Sequence, residues 1–442
     1  MEKYNNYKDS GVDWLKKIPN HWSLKRVKDL TEIISKGTTP STEGETYTDS
    51  GVRFIKAENV NGSGKVFDKP AFFISYETNE ILKRSQLKAK DLLLVIAGAT
   101  TGKIAVIEKC QLPANTNQAV CFLRLNKEEK QESLRYKYYF INSSSFQSLI
   151  WLYAVTSAQP NLPMAILSHI DFCYPPLKEQ TQIANYLDGK TTAIDKKINL
   201  LQQKIDTYKA YRKTLINETV TKGLDKKVKL KESGINWIDE IPEHWEVKRL
   251  KDLSNFINGY AFNSKEYKDN GVPIIRISNI SDEINFKKCK NVESKYLKLA
   301  KHSLIIKDDI LVAMTGATIG KNSIYKVERK ALLNQRVGII RANKNICNLF
   351  LFQIIKSQIF KDYIDLLCGG SAQENISKTQ IENFYIQLPP LKEQQQIADY
   401  LDAETETIDK IVKNIETQIT TLQELRKILI NDVVTGKVKV TE

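Results

Sequence analysis

Apolar residues recur at alternating steps of four and three along the stretch that begins at Pro175. This is the heptad spacing of a helix that buries one narrow face against another helix. The same pattern returns from Pro389, with no gap, at a constant offset of 214 residues. A proline pair suits the first turn of a helix and a glycine suits its end, and Gly223 and Gly436 follow the two stretches. The sequence therefore predicts two long helices of equal length. The apolar positions predicted to form a coiled coil are Leu187, Ile194, Ile198, Leu201, Ile205 and Leu215 in the first helix and Leu401, Ile408, Val412, Ile415, Ile419, Leu422 and Leu429 in the second.

The same helix face carries polar residues at matching places in both copies. Thr191 and Arg212 in the first copy correspond to Thr405 and Arg426 in the second. Because polar residues on such a face fix the register of a helix pair, we expect each helix to pack against the other copy in this same chain. If a two-fold axis relates the halves, the helices run antiparallel with a globular unit at each end, and the C-terminus lies near the N-terminus.

The repeat extends well beyond the helices. Five further blocks recur, at offsets that drift by a few residues: 10–30 at 233–253, 51–60 at 271–280, 90–103 at 308–321, Asn117-Gln118 at Asn334-Gln335, and 157–162 at 371–376. Between these blocks the copies differ freely, as at 35–40 against 257–262. A common scaffold with different loops suits the recognition of two different targets in the same way.

Short aliphatic blocks at 52–59, 91–97, 104–108 and 119–125 predict strands, whereas the spacing at 133–153 and 348–367 predicts helices. Each globular unit is then an α+β domain of roughly 170 residues. We therefore predict an α+β fold: two α+β domains separated by two long helices that form an antiparallel coiled coil, with a pseudo-two-fold internal repeat. The predicted parts are residues 1–174 for the first domain, 175–222 for the first helix, 223–388 for a linker (polar over 221–232) and the second domain, and 389–442 for the second helix and a tail.

The charge balance favours a polyanionic partner. The chain carries 66 Lys and Arg residues against 52 Asp and Glu, a formal charge of +14, and phosphates attract such a surface. No apolar run of about 18 residues occurs, and no apolar segment follows the first residues, which predicts a cytoplasmic protein. The six cysteines show no C-x-x-C pairing, so we expect reduced and mostly buried thiols. For His21 and His244, each in an Ile-Pro-x-His-Trp motif, a packing role is favoured over a metal ligand.

The segment Gly-Ala-Thr-Thr-Gly-Lys at 98–103 matches a phosphate-binding loop only in part. That loop needs four residues between its glycines and a hydroxyl after its lysine, whereas three residues separate Gly98 from Gly102 and Ile104 follows Lys103. We interpret the segment as a tight turn between strands, which could also contact a DNA phosphate. Neither a cofactor loop nor a nucleophile elbow occurs, and the prolines at Pro175 lack the preceding Asn or Asp of an amino-methyltransferase motif. The sequence thus indicates no catalytic centre, no cofactor and no metal site.

Polar residues suited to DNA lie in or beside the predicted loops. Arg and Lys pair with guanine, and Asn and Gln with adenine, in the major groove, although a turn or surface role explains any one of these residues equally well. The candidates in the first unit are Lys36, Thr38, Lys56, Glu58, Asn59, Thr100, Thr101, Lys103, Asn117, Gln118 and Gln159, and those in the second are Asn258, Tyr260, Arg276, Ser278, Asn279, Thr318, Lys321, Asn334, Gln335, Arg336 and Gln373. The changes from Lys56 to Arg276 and from Glu58 to Ser278 are of the kind that two different base preferences require.

Together the duplicated motifs resemble those of the specificity subunit of type I restriction-modification systems. They are P-P-L-x-E-Q-x-x-I-A-x-Y-L-D at 175–188 and 389–402, the paired S-G-x-x-W and I-P-x-H-W blocks, and a Ser-Ala-Gln-x-Asn segment before each helix. The resemblance covers essentially the whole chain. It implies two target-recognition domains that each read half of a bipartite site in double-stranded DNA, with the coiled coil fixing the spacer. It also implies the docking of two modification subunits, which bind S-adenosylmethionine and methylate adenine, and of restriction subunits that use ATP to translocate and cut DNA. The specificity subunit itself is not an enzyme.

Two other interpretations stay open from the residues alone. A DNA methyltransferase or nuclease subunit in its own right would need a cofactor loop or a carboxylate cluster, which the sequence lacks. A coiled-coil scaffold without a DNA function would explain the helices, but not the positive charge or the two divergent units. Methyl transfer to DNA by the purified chain alone would favour the enzyme.

Overall fold

The computed structural model describes residues 2–62, 64–127, 133–156, 160–281, 284–368 and 375–440. They form two compact units, Met1–Leu201 with Thr417–Glu442 and Gln202–Glu416. This division falls inside both long helices, so each helix contributes one part of its length to each unit. The domain boundaries predicted from the sequence lie at the ends of the long helices, and these boundaries stay predictions.

Short strands, short helices and part of each long helix build the first unit. Its strands are β1 (Tyr7–Asp9), β2 (Lys17–Pro19), β3 (Ser23–Arg26), β4 (Thr31–Lys36), β5 (Val52–Ile55), β6 (Phe73–Ile74), β7 (Leu92–Val95), β8 (Ile104–Val106), β9 (Ala114–Thr116), β10 (Val120–Leu125), β11 (Val155–Thr156), β12 (Pro160–Asn161) and β13 (Asp171–Tyr174). Its helices are α1 (Tyr76–Ile81), α2 (Ser133–Ile141), α3 (Ser144–Tyr153), α4 (Met164–His169) and the first part of α5 (Leu177–Lys222).

The main sheet of this unit is antiparallel, in the order β4-β10-β7-β8. A smaller sheet has the order β6-β5-β9, with β5 and β9 parallel. Alternate residues of a strand point to opposite faces, and β7 is buried on both. Leu92 and Leu94 face the core shared with the helices, whereas Leu93 and Val95 face a second cluster with Phe122. This double burial explains why the sequence of β7 is continuously apolar.

The second unit repeats this construction. Its strands are β14 (Leu230–Ile235), β15 (Ile238–Pro242), β16 (Glu246–Arg249), β17 (Ser254–Asn258), β18 (Val272–Ile275), β19 (Lys290–Val292), β20 (Leu304–Ile305), β21 (Ile310–Ala313), β22 (Asn322–Ile324), β23 (Ala331–Leu333), β24 (Val337–Ala342) and β25 (Tyr385–Leu388). Its helices are α6 (Leu250–Leu253), α7 (Tyr296–Leu299), α8 (Asn348–Lys356), α9 (Gln358–Cys368), α10 (Lys378–Glu382) and parts of α5 and of α11 (Leu391–Val434). The main sheet is β17-β24-β21-β22, and in the other sheet β18 and β23 are again parallel. The predicted α+β fold with an internal repeat is confirmed.

An ion pair that the sequence did not predict ties two strands of each main sheet together. Asp91, 1% exposed, accepts from Arg124 Nη2 at 2.7 Å across β7 and β10. The second unit has the same pair at 2.7 Å between Asp309 and Arg341, and this bond to Asp309 raises the pKa of the Arg341 guanidinium. Because the pair recurs, it belongs to the scaffold that both units share.

Most predicted elements are confirmed, with differences at their ends. Residues Ala57–Asn59 form a 3-10 turn rather than the end of a strand. The two predicted helical regions each contain two helices, which break before Ser144 and at Ser357. The polar linker predicted at 221–232 is shorter than expected, because α5 continues to Lys222 and β14 begins at Leu230. The expected proximity of the chain ends is also confirmed, since Lys439 N donates to Glu2 O at 2.9 Å.

Both predicted long helices are present, as α5 and α11. The predicted coiled-coil positions are buried or half-buried in both, on helices whose other positions are mostly exposed. No helix within the described residues has the length and apolar character needed to span a membrane. All six cysteines lie within the described residues, and none of them forms a disulfide; Cys121, Cys173 and Cys368 are buried and Cys110 is exposed. Burial, opposed by the charge of Lys36, raises the pKa of Cys121 to about 12.

Candidate nucleic-acid interface

A glycine brings two segments together at the edge of the main sheet in the first unit. A Cβ on Gly37, which follows β4, would lie 1.8 Å from Thr116 O. With no Cβ in the way, the backbone of Gly37 comes close enough for its N–H to donate to Asn117 O at 3.1 Å. Since only glycine fits here, the next residue, Thr38, is held beside the connection between β9 and β10.

Thr38 lines an open cleft of 510 Å³. Arg84 Nη2 donates to Thr38 Oγ1 at 3.4 Å, and Thr39 Oγ1 donates to Gln118 Oε1 at 3.1 Å. Both Arg84 and Gln118 are exposed. Lys36, Ala97 and Asn161 also line the cleft, and none of the described lining residues is acidic. The cleft therefore offers guanidinium, ammonium and amide donors to an electron-rich ligand.

The second unit builds the same junction with different side chains. A Cβ on Gly259 would lie 2.1 Å from Asn334 O. Tyr260, the next residue, accepts at its carbonyl from Gln335 N at 3.0 Å. Its ring lies 6.0 Å from the ring of His302 and 5.0 Å from that of Phe262. Aromatic surface thus stands where the first unit has hydroxyl and guanidinium groups.

Two of the predicted DNA contacts are structural asparagines. Asn59 is buried, and its Oδ1 accepts from Lys56 N at 2.9 Å while its Nδ2 donates to Pro70 O at 2.8 Å. Asn279, also buried, accepts from Arg276 N at 3.0 Å in the equivalent turn. Each asparagine uses its Oδ1 within its own loop, and a base contact by either residue stays a prediction.

The residues beside these asparagines are more accessible, but they do not line the cleft. Lys56 Nζ lies 3.5 Å from the centre of the Phe72 ring and 4.3 Å from that of Tyr47. Burial, together with the charge of Glu58, raises the pKa of Tyr47. In the second unit Arg276 Nη2 donates to a backbone carbonyl at 3.5 Å. Glu58 and Ser278 are exposed.

The segment 98–103 forms the predicted turn, between β7 and β8. Thr101 N donates to Gly98 O at 3.1 Å, and the buried hydroxyl of Thr101 donates to the same oxygen at 2.7 Å. Thr101 is thus occupied within the turn, whereas Thr100 and Lys103 are half-buried. In the equivalent turn Thr318 is half-buried and Lys321 is exposed.

The remaining candidates divide into three groups. Asn117 and Asn334 are half-buried. Exposed positions are Asn258, Gln335 and Arg336. Gln159 and Gln373 lie outside the described residues. The structure therefore brings Lys36, Thr38 and Gln118 together in one cleft, and it leaves the other described candidates elsewhere on the two units.

Sequence reasoning missed Arg84, Asn161 and His302. A signal for two of them was present, because Lys83-Arg84-Ser85 aligns with Lys301-His302-Ser303 at the offset of the neighbouring block, 218 residues. An alignment that searched for a variable residue between two constant ones would have found this position.

The duplicated His-Trp motif holds the first turn of each long helix. Trp22 Nε1 donates to Glu179 Oε2 at 2.9 Å, and His21 Nε2 lies 2.5 Å from Glu179 Oε1. Gln180 Nε2 donates back to Pro175 O at 2.8 Å. His244, Trp245, Glu393, Gln394 and Pro389 repeat these contacts in the second unit. The motifs that recur in the sequence are therefore those that attach a helix to its unit.

The arginines at the polar positions of the long helices form one ion pair in each unit. Arg426 Nε lies 3.0 Å from Asp195 Oδ1 in the first unit, and Arg212 Nε lies 3.1 Å from Asp409 Oδ1 in the second. Along α5 the paired positions rise from 195 to 212, whereas along α11 they fall from 426 to 409. This order is that of antiparallel helices, as predicted.

Among the described residues, no group of three or more His, Cys, Asp or Glu side chains is placed to hold a metal ion.

The chain matches twice the family model described as "Type I restriction modification DNA specificity domain", over residues 19–207 and 242–421. The two matches together cover most of the chain. Among curated proteins, the type I restriction enzyme MjaVIII specificity subunit of Methanocaldococcus jannaschii is 26% identical, over 96% of this chain and 94% of that protein.

Two solved structures share the fold. One, described as "Structural basis underlying complex assembly and conformational transition of the type I R-M system", aligns with a TM-score of 0.75 at 15% identity, over 95% of this chain and 99% of that chain. The other, an HsdS subunit from Thermoanaerobacter tengcongensis, aligns with a TM-score of 0.54 at 16% identity, over 95% of this chain and 98% of that chain. At these identities the likeness concerns the fold alone.

Proposed function

Because the chain belongs to the type I restriction modification DNA specificity family, we propose that it is the subunit of a type I restriction-modification complex that recognises DNA. Each repeat reads one half of a bipartite site, and the pair of long helices sets the spacer between the halves. The chain is not itself an enzyme, since the modification and restriction subunits carry the chemistry.

One observation carries this proposal: the same junction occurs twice with different side chains, of which Arg84 and His302 are exposed and Thr38 and Tyr260 half-buried. The glycine and the Asn-Gln pair are shared, whereas Thr38 and Arg84 give way to Tyr260 and His302. A protein that bound one target twice would keep these four side chains alike. Two targets read by one scaffold require this pattern of constant backbone and variable side chains.

Charge supports DNA as the target. The chain has a formal charge of +14, and cationic groups gain affinity for DNA by releasing counterions from phosphates. The cleft of the first unit contributes Lys36 and Arg84 to this charge. Lys56, Lys103, Arg276, Lys321 and Arg336 remain proposed DNA contacts outside it.

The partners follow from the same family membership. We propose that two modification subunits dock on the chain, one for each repeat, and that restriction subunits join them. We also propose a cytoplasmic location, because a complex of this kind works on cellular DNA.

An exchange of recognition segments tests the proposal. Residues 31–170 are replaced by the same segment of a related chain, which leaves the block 10–30, the β3-β13 pair and both long helices native. In cells that carry the modification subunits, methylated adenines are then mapped across the genome. We expect one half of the methylated site to change, while the other half and the spacer stay the same.

The matched control exchanges residues 254–384, the equivalent segment of the second repeat, and it should change the opposite half. A change in both halves after either exchange, or in neither, would contradict the assignment of one half-site to each repeat.

A further inference from the structure

We propose that Arg84 and His302 are specificity-determining residues, with Arg84 reading a guanine in one half-site and His302 making the base preference of the other half-site different. This inference rests on the proposed function, and it names the residue in each unit that sets a base preference and the base that Arg84 recognises.

The two residues are presented by the same turn. Arg84 is the middle residue of the 3-10 turn Lys83–Ser85, and His302 is the middle residue of Lys301–Ser303. Each turn is anchored by a buried serine: Ser85 Oγ donates to the carbonyl three residues before it at 3.1 Å, and Ser303 Oγ does so at 2.9 Å. The backbone is therefore constant, and the exposed side chain between the lysine and the serine is what varies.

Both residues also face the same partner position. Arg84 donates to Thr38 at 3.4 Å, and the His302 ring lies 6.0 Å from the ring of Tyr260. Thr38 and Tyr260 each follow the glycine that no other residue can replace. The varied positions thus occur as a facing pair on a fixed backbone, at an equivalent place in each unit.

Arg84 is available to a ligand. Its side chain is exposed, and within the described residues it has no carboxylate partner. The neighbouring Gln118 uses its Oε1 to accept from Thr39, which leaves the amide NH₂ group as a second donor. Among the described lining residues, an electron-rich group that enters the cleft meets donors and no carboxylate.

The variation between the units decides between a base and a phosphate as the ligand. Arginine binds both, through the same planar fork of donors. Phosphates are alike in every DNA sequence, so a phosphate contact gives no reason for arginine in one unit and histidine in the other. A base contact gives that reason. In the major groove the arginine fork matches guanine O6 and N7, whereas a neutral imidazole has one donor and one acceptor and does not form that pair.

The test is a selection from random DNA. The full chain, assembled with its modification subunits, binds a pool of double-stranded DNA of random sequence, and the bound molecules are sequenced. The variants are Arg84→Ala, Arg84→Gln and His302→Ala. All three change exposed side chains, and far-ultraviolet circular dichroism verifies that each variant folds.

We expect Arg84→Ala to reduce the preference for guanine at one position of one half-site by roughly 5- to 150-fold, the range for losing one good base contact. Arg84→Gln should shift that position toward adenine, the base that glutamine pairs with. His302→Ala should alter one position of the other half-site and leave the first half unchanged.

Three results would overturn the inference. Binding that weakens equally for all sequences in Arg84→Ala would make Arg84 a phosphate contact. Unchanged preferences in Arg84→Ala would remove it from the interface, and effects of Arg84→Ala and His302→Ala on the same half-site would refute their equivalence. If the chain with its native sequence selects no bipartite DNA sequence at all, the proposed function itself is refuted. That outcome is distinct from the three above, which refute only the roles of Arg84 and His302.

Discussion

Lengthening both long helices by one heptad should lengthen the spacer. The insertions go after Ile198 in α5 and after Val412 in α11, and both sites lie between the two ion pairs, Asp195 with Arg426 and Arg212 with Asp409. Seven residues at about 1.5 Å each add about 10 Å along the axis, and whole heptads keep the packing face in phase. With base pairs about 3.4 Å apart, the spacer should grow by about three base pairs if the helices run parallel to the DNA, and by fewer if they are inclined.

The assay is the map of methylated adenines in cells that carry the modification subunits. Both half-sites should keep their sequences while the distance between them increases. A heptad inserted into α5 alone is the matched control, because it offsets one helix against the other and should abolish selective methylation. An unchanged spacer in the double insertion, with both half-sites still methylated, would show that the helices do not set the distance.

Two further predictions concern stability. Asp91→Asn should lower the free energy of unfolding of the first unit by about 3 kcal/mol, because it leaves a largely buried arginine without its counter-charge. Asp309→Asn should lower the free energy of unfolding of the second unit by less, since the Arg341 side chain it leaves unpaired is 32% exposed, whereas that of Arg124 is 14% exposed. Amide hydrogen exchange in β7 and β21 measures both losses of stability, and a larger loss in the second unit would contradict this reasoning. Gly189→Ala should stabilise α5 by up to about 1 kcal/mol, because the added Cβ meets no atom within 4 Å and alanine already stands at the equivalent Ala403. Slower amide exchange around residue 189 would support it, and faster exchange would refute it.

Local periodicity made the long helices predictable. A heptad pattern needs only residues three and four apart, and its recurrence at a fixed offset removed the ambiguity that a single copy would leave. The same holds for the turn at 98–103, where glycines and flanking aliphatic blocks specify the structure within a few residues.

The candidate interface was less predictable, because it depends on contacts between distant residues. The side-chain amide of Asn59 has the donor and acceptor that pair with adenine, yet its Nδ2 donates a hydrogen bond to Pro70 O on its own loop. Arg84 is one of many exposed arginines and lysines in the sequence, and only its contact with Thr38, 46 residues away, places it at the cleft. Residue type therefore suggested the class of ligand, whereas the path of the loops decides which residues can reach it.

The two ion pairs of the long helices are one contact that occurs twice. Asp195 and Asp409 are equivalent by the repeat, as are Arg212 and Arg426. When such helices pack antiparallel about a two-fold axis, an Asp-Arg pair that forms in one unit therefore also forms in the other. Each pair is partly exposed and contributes only about 0.5 kcal/mol. A slip of one heptad, however, would break both pairs at once and bury no new apolar residue in return. The pairs therefore act mainly by selecting one register among those that the apolar face allows. In the proposed function, that register sets the distance between the two half-sites that the repeats read.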